Sequence, residues 1–554
     1  MLKLVLSRVL ALLLLFLTAC AAGPAGSAAQ ALAPATLPPA TLLPATLTPF
    51  QPQFHKPVPT SSPSGVWLAP AVPEGLRAFV EKNGLPLAGS KEGAAAVLDR
   101  AEAQTAAPVS TWVYALAAAF PTVRDAASFD ELKAAWFGDA PALLMSGSTQ
   151  AAMQTIFGGP AGAGVRLAPD ADLTDLLWQD RALWAIVSFE ALNEKLKVLE
   201  IDGQSPLRKE FSQADYPLKA SYALDPALVP LPAGNRDPEM LTTLLMTGTT
   251  AFVRAISYKM QTNGIDYPAR EIGDWLRGAD ILHISNEVAF TPDCPAPDPN
   301  DGSLRFCSAV DNIGLLDAIG VDVIELTGNH VNDWGRDALS YTLDLYRQHG
   351  WPVFGGGANL GEAVQPAILE RGGVRFAFIG CNAPGPDFAW ATATEPGAMP
   401  CGDYAWLVEE IRNLKASGAV VIVALQNYEY YTADASAVQM KDFRLLADAG
   451  ADVVSGSQAH YSQSMEFYNK AFIHYGLGNL FFDQMGYSYA DGTRTPNTRR
   501  EFLDRYVFYE GRLVGIELLT AMLEDYSKPR PMTPDERQMF LQEYFAASGW
   551  GTEP

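Results

Sequence analysis

Polar side chains that could bind a metal or transfer a proton follow several apolar runs in the second half of the chain. The segment LTGNHVNDWG, Leu326–Gly335, places Asn329, His330 and Asp333 directly after the run VDVIEL. Similar positions after other runs hold Thr249, Asn286, Glu287, Gln426, Glu429, Gln458 and His460. Oxygen and imidazole ligands from several strand ends are how a two-metal centre for phosphoester chemistry is assembled. The pattern therefore indicates a candidate metal site.

Some of these residues also have a purely structural interpretation. Asn332 or Asp333 could cap the helix predicted to follow Gly335. Glu287 could instead form a buried hydrogen-bonded pair with its neighbour Asn286. The aromatic run NYEYY could be a rim for ligand stacking or a half-buried strand edge.

The apolar runs themselves predict an α/β fold from about residue 241 to about residue 522. They are short and β-branched, and helical spans such as DALSYTLDLYRQHG separate most of them. Open α/β sheets place their sites at the ends of strands, which is where the polar residues lie. His283 and His474 lie inside runs, so we expect them to be hydrogen-bonded core residues. The predicted strands are LTTLLMTG, ADILHIS, VDVIELTG, VRFAFIG, AVVIVAL, ADVVSG and AFIHYGLG.

A second α/β alternation occupies about residues 66–231. The segment SFDELKAAWFG predicts a helix with Ser128 as N-cap and Glu131 completing a capping box. The segment ALLMSGSTQAAMQTIFG predicts a strand, a turn at Ser146 and a helix. That order can bind an anion or can simply cap the helix. A Pro/Gly junction at Leu231–Met240 ends this region.

The N-terminus predicts export. Lys3 and Arg8 precede the apolar run VLALLLLFL, which stops at LTAC and Cys20. The pattern Leu-x-Ala-Cys resembles the bacterial lipobox, which implies a signal peptide over residues 1–19 and lipidation of Cys20. The protein would then be anchored to the membrane or envelope, outside the cytoplasm. Residues 20–64, rich in Pro, Ala and Thr, predict an extended tether.

Cysteine content and charge narrow the chemistry further. An exported chain lies where disulfides persist, and Cys294–Cys307 with Cys381–Cys401 is the simplest of the three pairings. The formal net charge of −23 argues against nucleic acid as a partner.

Residues of about 242–485 resemble the CapA family of capsule synthesis proteins, which is associated with poly-γ-glutamate capsules and has the calcineurin-like metallophosphoesterase fold. Six blocks carry the resemblance, in the order that the family shows. This resemblance implies an α/β/β/α sandwich. The blocks are MTGTTAFVR, NEVAF, LTGNHVNDWG, ALQNYEYY, SGSQAHYSQSMEFY and FIHYGLGNLFFD.

The resemblance also assigns roles to residues. Glu287, Asn329 and His460 would be metal ligands, with Glu287 as the bridging one. His330 would be the acid or transition-state partner, with Asp333 and Glu429 beside it. Asn286 and Asn479 stand in matching blocks.

Three ligands that the resemblance implies are replaced. Thr249 stands where the family has Asp, and Gln426 and Gln458 stand where it has His. Hydroxyl and amide groups are weak ligands for divalent transition metals. The two-metal site is therefore expected to be degenerate, so that a divalent metal (Mn²⁺, Mg²⁺ or Zn²⁺) could bind or be absent. A single hard cation such as Mg²⁺ or Ca²⁺ could still use Glu287, Asn329 and an oxygen of Gln426 or Gln458.

Residues of about 66–231 resemble, more diffusely, a type 2 periplasmic solute-binding fold. The expected organisation is a solute-binding-like α/β domain over 65–236, a CapA-like metallophosphoesterase-fold domain over 240–525, and a C-terminal helix within 526–554.

Three functions fit these observations. The first is a lipid-anchored component in the synthesis, export or anchoring of an extracellular anionic polymer such as poly-γ-glutamate, whose partners are that polymer or its synthesis machinery. The second is a metal-dependent hydrolase of a phosphoester or polymer linkage. The third is a ligand-binding lipoprotein receptor.

Overall fold

The computed structural model describes residues 64–101, 109–140, 142–488 and 492–551. These described residues fall into one compact unit. The predicted signal peptide, Cys20 and the tether up to residue 63 lie outside the described residues. Within the described part of the chain, every helix is too short or too polar to cross a bilayer.

The region Val66–Asp225 forms one mixed nine-stranded sheet. The long strand Val109–Ala119 lies in the middle of the sheet, between Lys219–Asp225 and Trp184–Ser188. The strands are Val66–Leu68, Ala96–Arg100, Val109–Ala119, Ala126–Ala127, Leu143–Met145, Val165–Leu167, Trp184–Ser188, Leu196–Ile201 and Lys219–Asp225. Its α-helices are Glu74–Lys82, Phe129–Phe137, Gly147–Phe157 and Leu173–Gln179.

Both helix starts predicted in this region are confirmed. Ser128 accepts a hydrogen bond from the Glu131 backbone, and the Glu131 carboxylate accepts one from the Ser128 backbone at 2.8 Å. Ser146 accepts from the Thr149 N–H at 3.4 Å and is the N-cap of the following helix. These caps satisfy N–H groups that have no partner within the helix.

Two further sheets follow residue 241. The first combines parallel strands with an antiparallel extension from the C-terminal part of the chain. Its eight strands are Leu241–Thr247, Thr249–Thr250, Ile281–Asn286, Val323–Glu325, Val353–Phe354, Arg500–Tyr509, Arg512–Glu524 and Lys528–Pro531. The second has six strands, which are Ala367–Arg371, Val374–Asn382, Val420–Gln426, Val453–Gly456, Met465–Tyr468 and Ala471–His474. Short pairs join Gly356–Gly357 to Gly397–Ala398 and Tyr487–Ser488 to Arg494–Thr495.

Successive side chains along these strands point alternately to the core between the two sheets and to an outer core covered by helices. The result is a sandwich of four layers. Leu244 of the eight-stranded sheet and Ile422 of the six-stranded sheet share the core between the two sheets. Their neighbours Leu245 and Val423 point the other way, into cores covered by helices. Both sheets are therefore buried on both faces, which explains their nearly continuous apolar runs. The α/β/β/α arrangement predicted for this region is confirmed.

Helices cover the outer faces of this sandwich. Residues such as Ile256, Leu316 and Leu343 pack against the eight-stranded sheet, while Leu407 and Phe443 pack against the six-stranded one. The α-helices that follow residue 241 are Arg254–Asn263, Gly273–Arg277, Gly314–Ile319, Arg336–His349, Leu360–Ala363, Ala405–Ala416, Ala437–Ala449 and Pro534–Ala547, of which the last packs on the core shared by the two sheets. The last of these matches the helix predicted in the C-terminal tail.

The nine-stranded sheet packs directly on the C-terminal part of the sandwich. Arg537 makes two hydrogen bonds of 2.9 Å to the Asp125 carboxylate, and Arg512 donates to the Glu190 carbonyl at 3.0 Å. Phe120 makes an edge contact with Phe467 at 5.1 Å between ring centroids. Polar and apolar contacts together hold this sheet against the sandwich.

Two disulfides close loops of the sandwich. Cys294 is bonded to Cys307 and Cys381 to Cys401, which confirms the predicted local pairing. The first loop lies beside the segment Leu326–Gly335, because Arg305 donates to the Asp333 carbonyl at 2.7 Å.

Candidate functional site

The candidate residues come together where strands of both sheets end. Glu287 follows Ile281–Asn286, and Asn329 follows Val323–Glu325, both in the eight-stranded sheet. Gln426 ends its strand and Gln458 follows Val453–Gly456 in the six-stranded sheet. The parallel strands within each sheet bring these ends to one edge of the sandwich.

Three side-chain amides form a connected cluster at this edge. The Gln426 amide contacts the Asn329 amide at 3.0 Å and also contacts the Gln458 amide. When the Gln426 amide is turned by 180°, its oxygen accepts from the Asn329 backbone N–H at 2.9 Å and its nitrogen donates to the Thr327 carbonyl at 3.2 Å. Gln458 donates to Glu429 at 3.0 Å. Two positions where the resemblance implies metal-binding histidines thus carry amides that bond to their neighbours.

His330 and Asp333 form a close pair. His330 Nδ1 lies 2.7 Å from Asp333 Oδ2, and the same oxygen accepts from the Phe306 backbone N–H at 2.8 Å. Burial would lower the pKa of His330, but the hydrogen bond to Asp333 and the charges of Glu287 and Glu429 raise the pKa above its usual value. The imidazole is therefore held in one orientation by Asp333.

The proposed capping role of Asp333 and Asn332 is wrong. The helix Arg336–His349 begins after Gly335, and no side chain caps it. Asp333 is committed to His330 and Phe306, as described above. Asn332 donates to backbone carbonyls of the loop closed by the second disulfide, including that of Phe388 at 3.0 Å.

His460 lies near two carboxylates. Its Nε2 is 3.9 Å from Glu287 Oε1 and 3.9 Å from Glu429 Oε1. Its Nδ1 lies 2.8 Å from Asn479 Oδ1, and its ring stacks on Phe482 at 4.9 Å. With Nδ1 donating to the Asn479 carbonyl oxygen, Nε2 is the nitrogen that faces the acidic groups. A distance of 3.9 Å is too long for a direct hydrogen bond.

Glu287 and Thr249 are buried without hydrogen-bond partners. Glu287 is 2% exposed, and both of its carboxylate oxygens lack a partner among the described residues. The Thr249 hydroxyl, also 2% exposed, lacks one too. Gly328 is required beside Glu287, because a Cβ there would lie 2.8 Å from the Glu287 Cα. A buried carboxylate without a partner is costly, so it marks a place where a ligand group is expected.

Asn286 does not pair with Glu287, so that structural alternative is wrong. The Asn286 amide donates to the Val288 carbonyl at 2.6 Å and to the Tyr346 hydroxyl at 2.7 Å. It therefore fixes the end of its strand against the helix Arg336–His349. Its role in the described structure is positional.

The aromatic run after Gln426 is not a strand edge. The strand Val420–Gln426 ends before it, and Tyr428 is 50% exposed. Tyr431 donates to Glu429 at 3.1 Å. The run therefore borders the site as a loop.

Residues that the sequence analysis did not select also shape this site. Arg254 hydrogen bonds to the Asp483 carboxylate, and its guanidinium lies over Phe306 at 4.8 Å and Phe482 at 5.6 Å. Phe306 in turn lies 4.7 Å from the His330 ring. Arg254 is the last residue of the block MTGTTAFVR, and Asp483 is the last residue of the block FIHYGLGNLFFD. Their place in these blocks is the sequence signal that could have identified them.

The donor set differs from that of a two-metal centre. Within the described ranges, no group of three or more His, Cys, Asp or Glu side chains is arranged to hold a metal ion. Glu287 and His460 are close, but Thr249, Gln426 and Gln458 stand at positions where stronger ligands are implied. The arrangement offers a deep carboxylate, two imidazoles and an amide cluster.

Comparisons with known proteins agree with the six-block pattern. The family described as "Bacterial capsule synthesis protein PGA_cap" matches residues 243–484. The "Capsule biosynthesis protein CapA" of Bacillus anthracis is 25% identical over 317 residues, which is 56% of this chain and 74% of that protein. The "PGA biosynthesis protein CapA" of Bacillus subtilis is 28% identical over 186 residues, 33% of this chain. This match spans only about half of the B. subtilis protein, 48% of its length.

Solved structures show weaker likenesses. The NAD nucleotidase of Haemophilus influenzae has a TM-score of 0.29 and 12% identity, covering 54% of each chain. An ABC-type phosphate transport receptor of Vibrio cholerae has a TM-score of 0.24 and 8% identity, covering 29% of this chain and 86% of the receptor. The layers described above, rather than these likenesses, establish the α/β/β/α fold.

Sequence blocks, their order and the family match therefore agree on one stretch of the chain. Over residues 243–484, the protein matches the PGA_cap family of bacterial capsule synthesis proteins, and the relatives named above are CapA proteins.

Proposed function

We propose that this protein is an exported, lipid-anchored accessory in the synthesis, export or anchoring of an extracellular capsular polymer such as poly-γ-glutamate. The observation that carries the proposal is the family match over residues 243–484. The N-terminal pattern ending at Cys20 supports an anchor on the outer side of the membrane. The partners are the polymer or the machinery that makes it.

The site in this proposal binds a ligand without a two-metal centre. Thr249, Gln426 and Gln458 do not fit such a centre, because neutral hydroxyl and amide groups replace the carboxylate and imidazoles that hold transition metals. The contacts of Gln426 and Gln458 with neighbouring side chains support this, since both amides are already engaged.

A metal-dependent hydrolase is the second candidate, and the His330–Asp333 pair favours it. A histidine oriented by a carboxylate at 2.7 Å is the arrangement of a general acid. Glu287, Asn329 and His460 would then hold the cation. Against this candidate stand Thr249, Gln426 and Gln458, which are weaker metal ligands than the Asp and His residues that they replace.

The receptor hypothesis has less support. It requires a complete ligand cleft in the N-terminal region. The strands described between residues 66 and 225 belong to a single sheet. One side of that sheet packs on the sandwich through Leu241, Val507 and Val514, so that side is not free to form a ligand cleft.

Metal content and binding separate these candidates. The full chain, purified in detergent and dialysed against Mn²⁺, Mg²⁺ or Zn²⁺, is analysed by elemental mass spectrometry and assayed with bis(p-nitrophenyl) phosphate. We expect no tightly bound metal, background hydrolysis, and retardation of the protein in gels containing poly-γ-glutamate. Two tightly bound metals with hydrolysis lost in His330→Ala would establish the hydrolase instead. Absence of polymer binding would remove direct contact with the polymer from the proposal.

A further inference from the structure

We propose that the Glu287 pocket binds a primary ammonium group, and that in the polymer this group is the single free amino end. The inference rests on the proposed function and names the part of the polymer that the site recognises. Its starting point is the Glu287 carboxylate, which is 2% exposed and has no hydrogen-bond partner among the described residues.

The surroundings of Glu287 call for a donor-rich cation. Thr249, on the short strand that pairs with the end of the strand before Glu287, offers a second acceptor without a partner among the described residues. Glu429 offers a third, since its Oε1 lies 3.9 Å from the same His460 Nε2 as Glu287 Oε1. A buried carboxylate is stabilised when a cation with N–H donors reaches it. An ammonium group has three donors and no acceptor, so it can satisfy several of these oxygens at once.

A transition metal suits the pocket less well than an ammonium group does. The ligands that would complete a metal shell are the amides of Gln426 and Gln458, and both are engaged with neighbouring side chains. Glu287 thus remains the deep carboxylate, with the Glu429 carboxylate, the amides and the imidazole of His460 near it. Ammonium recognition needs no fixed coordination number and tolerates this mixture.

The charge of the protein points to the end of the polymer rather than its length. A γ-linked glutamate chain carries an α-carboxylate on every residue but only one free α-ammonium group, at its amino end. The full chain has a formal net charge of −23, and the carboxylates of Glu287, Asp333 and Glu429 all lie close enough to His330 for their charges to act on it. Repulsion disfavours the polyanionic body here, whereas the amino end is attracted.

Comparing two forms of one oligomer tests the inference. Titration calorimetry uses the detergent-solubilised full chain, with EDTA present, and a short γ-glutamyl oligomer with either a free or an N-acetylated amino end. Acetylation removes the positive charge and leaves the carboxylates in place. We expect it to weaken binding by about tenfold or more, the effect of losing one charge-assisted contact.

Matched variants locate the effect. Glu287→Gln should bind both forms with the same weak affinity, while Glu409→Gln, an exposed carboxylate on the helix Ala405–Ala416, should keep the full difference. The thermal midpoint shows whether each variant is folded. If Glu287→Gln does not fold, the wild-type comparison still decides.

The outcomes separate this inference from the proposed function. Equal affinity for the free and acetylated oligomers would overturn ammonium recognition and leave polymer binding intact. No binding of either oligomer, nor of the long polymer, would count against direct polymer binding itself. Binding that appears only when Mg²⁺ or Ca²⁺ replaces EDTA would overturn the ammonium in favour of a bridging cation.

Discussion

His474 Nδ1 lies 2.6 Å from Asp504 Oδ2, and both side chains are fully buried between the two sheets of the sandwich. The pair joins the six-stranded sheet to the eight-stranded sheet across their shared core. Tyr506 donates to the same Asp504 oxygen at 3.0 Å, and His474 Nε2 lies 3.2 Å from the Gln463 carbonyl. Every member of this buried network thus depends on another.

Removing one partner of this pair should strongly destabilise the protein. Asp504→Leu leaves the His474 Nδ1 buried without its acceptor, and such losses cost about 3–5 kcal/mol. Urea or thermal unfolding followed by circular dichroism measures the change. The double variant His474→Leu/Asp504→Leu should recover part of the loss, because neither polar group is then left alone.

An exposed ion pair provides the control for that experiment. Asp344 and Arg347 are paired at 2.6 Å on the surface of a helix. Asp344→Ala should change stability by at most about 0.5 kcal/mol. A similar loss in Asp344→Ala and Asp504→Leu would contradict the role assigned to the buried pair.

Glu501 should make the protein less stable as pH rises. Burial raises the pKa of this carboxyl well above its usual value, and neither oxygen has a hydrogen-bond partner among the described residues. Its folded-state pKa therefore exceeds its unfolded value of about 4.3. The neutral carboxyl is tolerated below that pH, and stability is lost as pH rises from there toward the folded-state pKa.

Glu501→Gln isolates this effect, because glutamine keeps the shape and stays neutral. The melting temperatures of variant and wild type should be close near about pH 4 and diverge above it, with the variant more stable. Differential scanning calorimetry across that range measures the gap. Parallel profiles for the two proteins would show that Glu501 does not titrate in the way described.

The sequence predicted the strand ends well, because their signals are local. Apolar runs with a polar residue at the end identified Glu287, Asn329 and Gln458, and the structure brings all three to one edge. His283 and His474 were predicted to be core residues, and both are buried and bonded to carboxylates. Periodicity and strand polarity carry this kind of information.

Partners across the chain were not predictable in the same way. Arg254 and Asp483 are 229 positions apart, so no local spacing connects them. Asp333 was a candidate helix cap because Asp is a common N-cap residue. In the structure, its Oδ2 instead contacts His330 Nδ1 and accepts a hydrogen bond from the Phe306 backbone N–H. Phe306 lies in a disulfide-closed loop without periodicity, and only the fold brings it to the site.

Restoring the three replaced ligands should create metal binding. The variant Thr249→Asp/Gln426→His/Gln458→His supplies one carboxylate and two imidazoles beside Glu287 and His460, a donor set suited to Mn²⁺ or Zn²⁺. Elemental analysis after dialysis should then find about two metals per chain, as in two-metal sites. Each single variant should bind less metal than the triple variant, because one added ligand does not complete the coordination shell of either metal.

Wild-type protein is the reference for that gain. If it already binds two metals as tightly as the triple variant, the replaced residues do not weaken the site and the degenerate-site proposal fails. If the triple variant is folded but remains free of metal, the strand ends are not positioned for a two-metal centre. Thermal shift with and without the metal gives an independent readout.

The disulfide Cys294–Cys307 should support the His330–Asp333 pair. It closes a loop with a sequence separation of 13, and the residue before Cys307 is Phe306, whose N–H bonds Asp333 and whose ring lies beside His330. The double variant Cys294→Ser/Cys307→Ser should lose about 3 kcal/mol of stability by loop entropy. It should also shift and broaden the imidazole NMR signals of His330, since Phe306 is no longer tethered.

Leu304→Ala, an exposed position in the same loop, is the control and should change neither the stability nor the His330 signals. Stability lost with unchanged His330 signals would mean that the disulfide stabilises the loop without positioning the site.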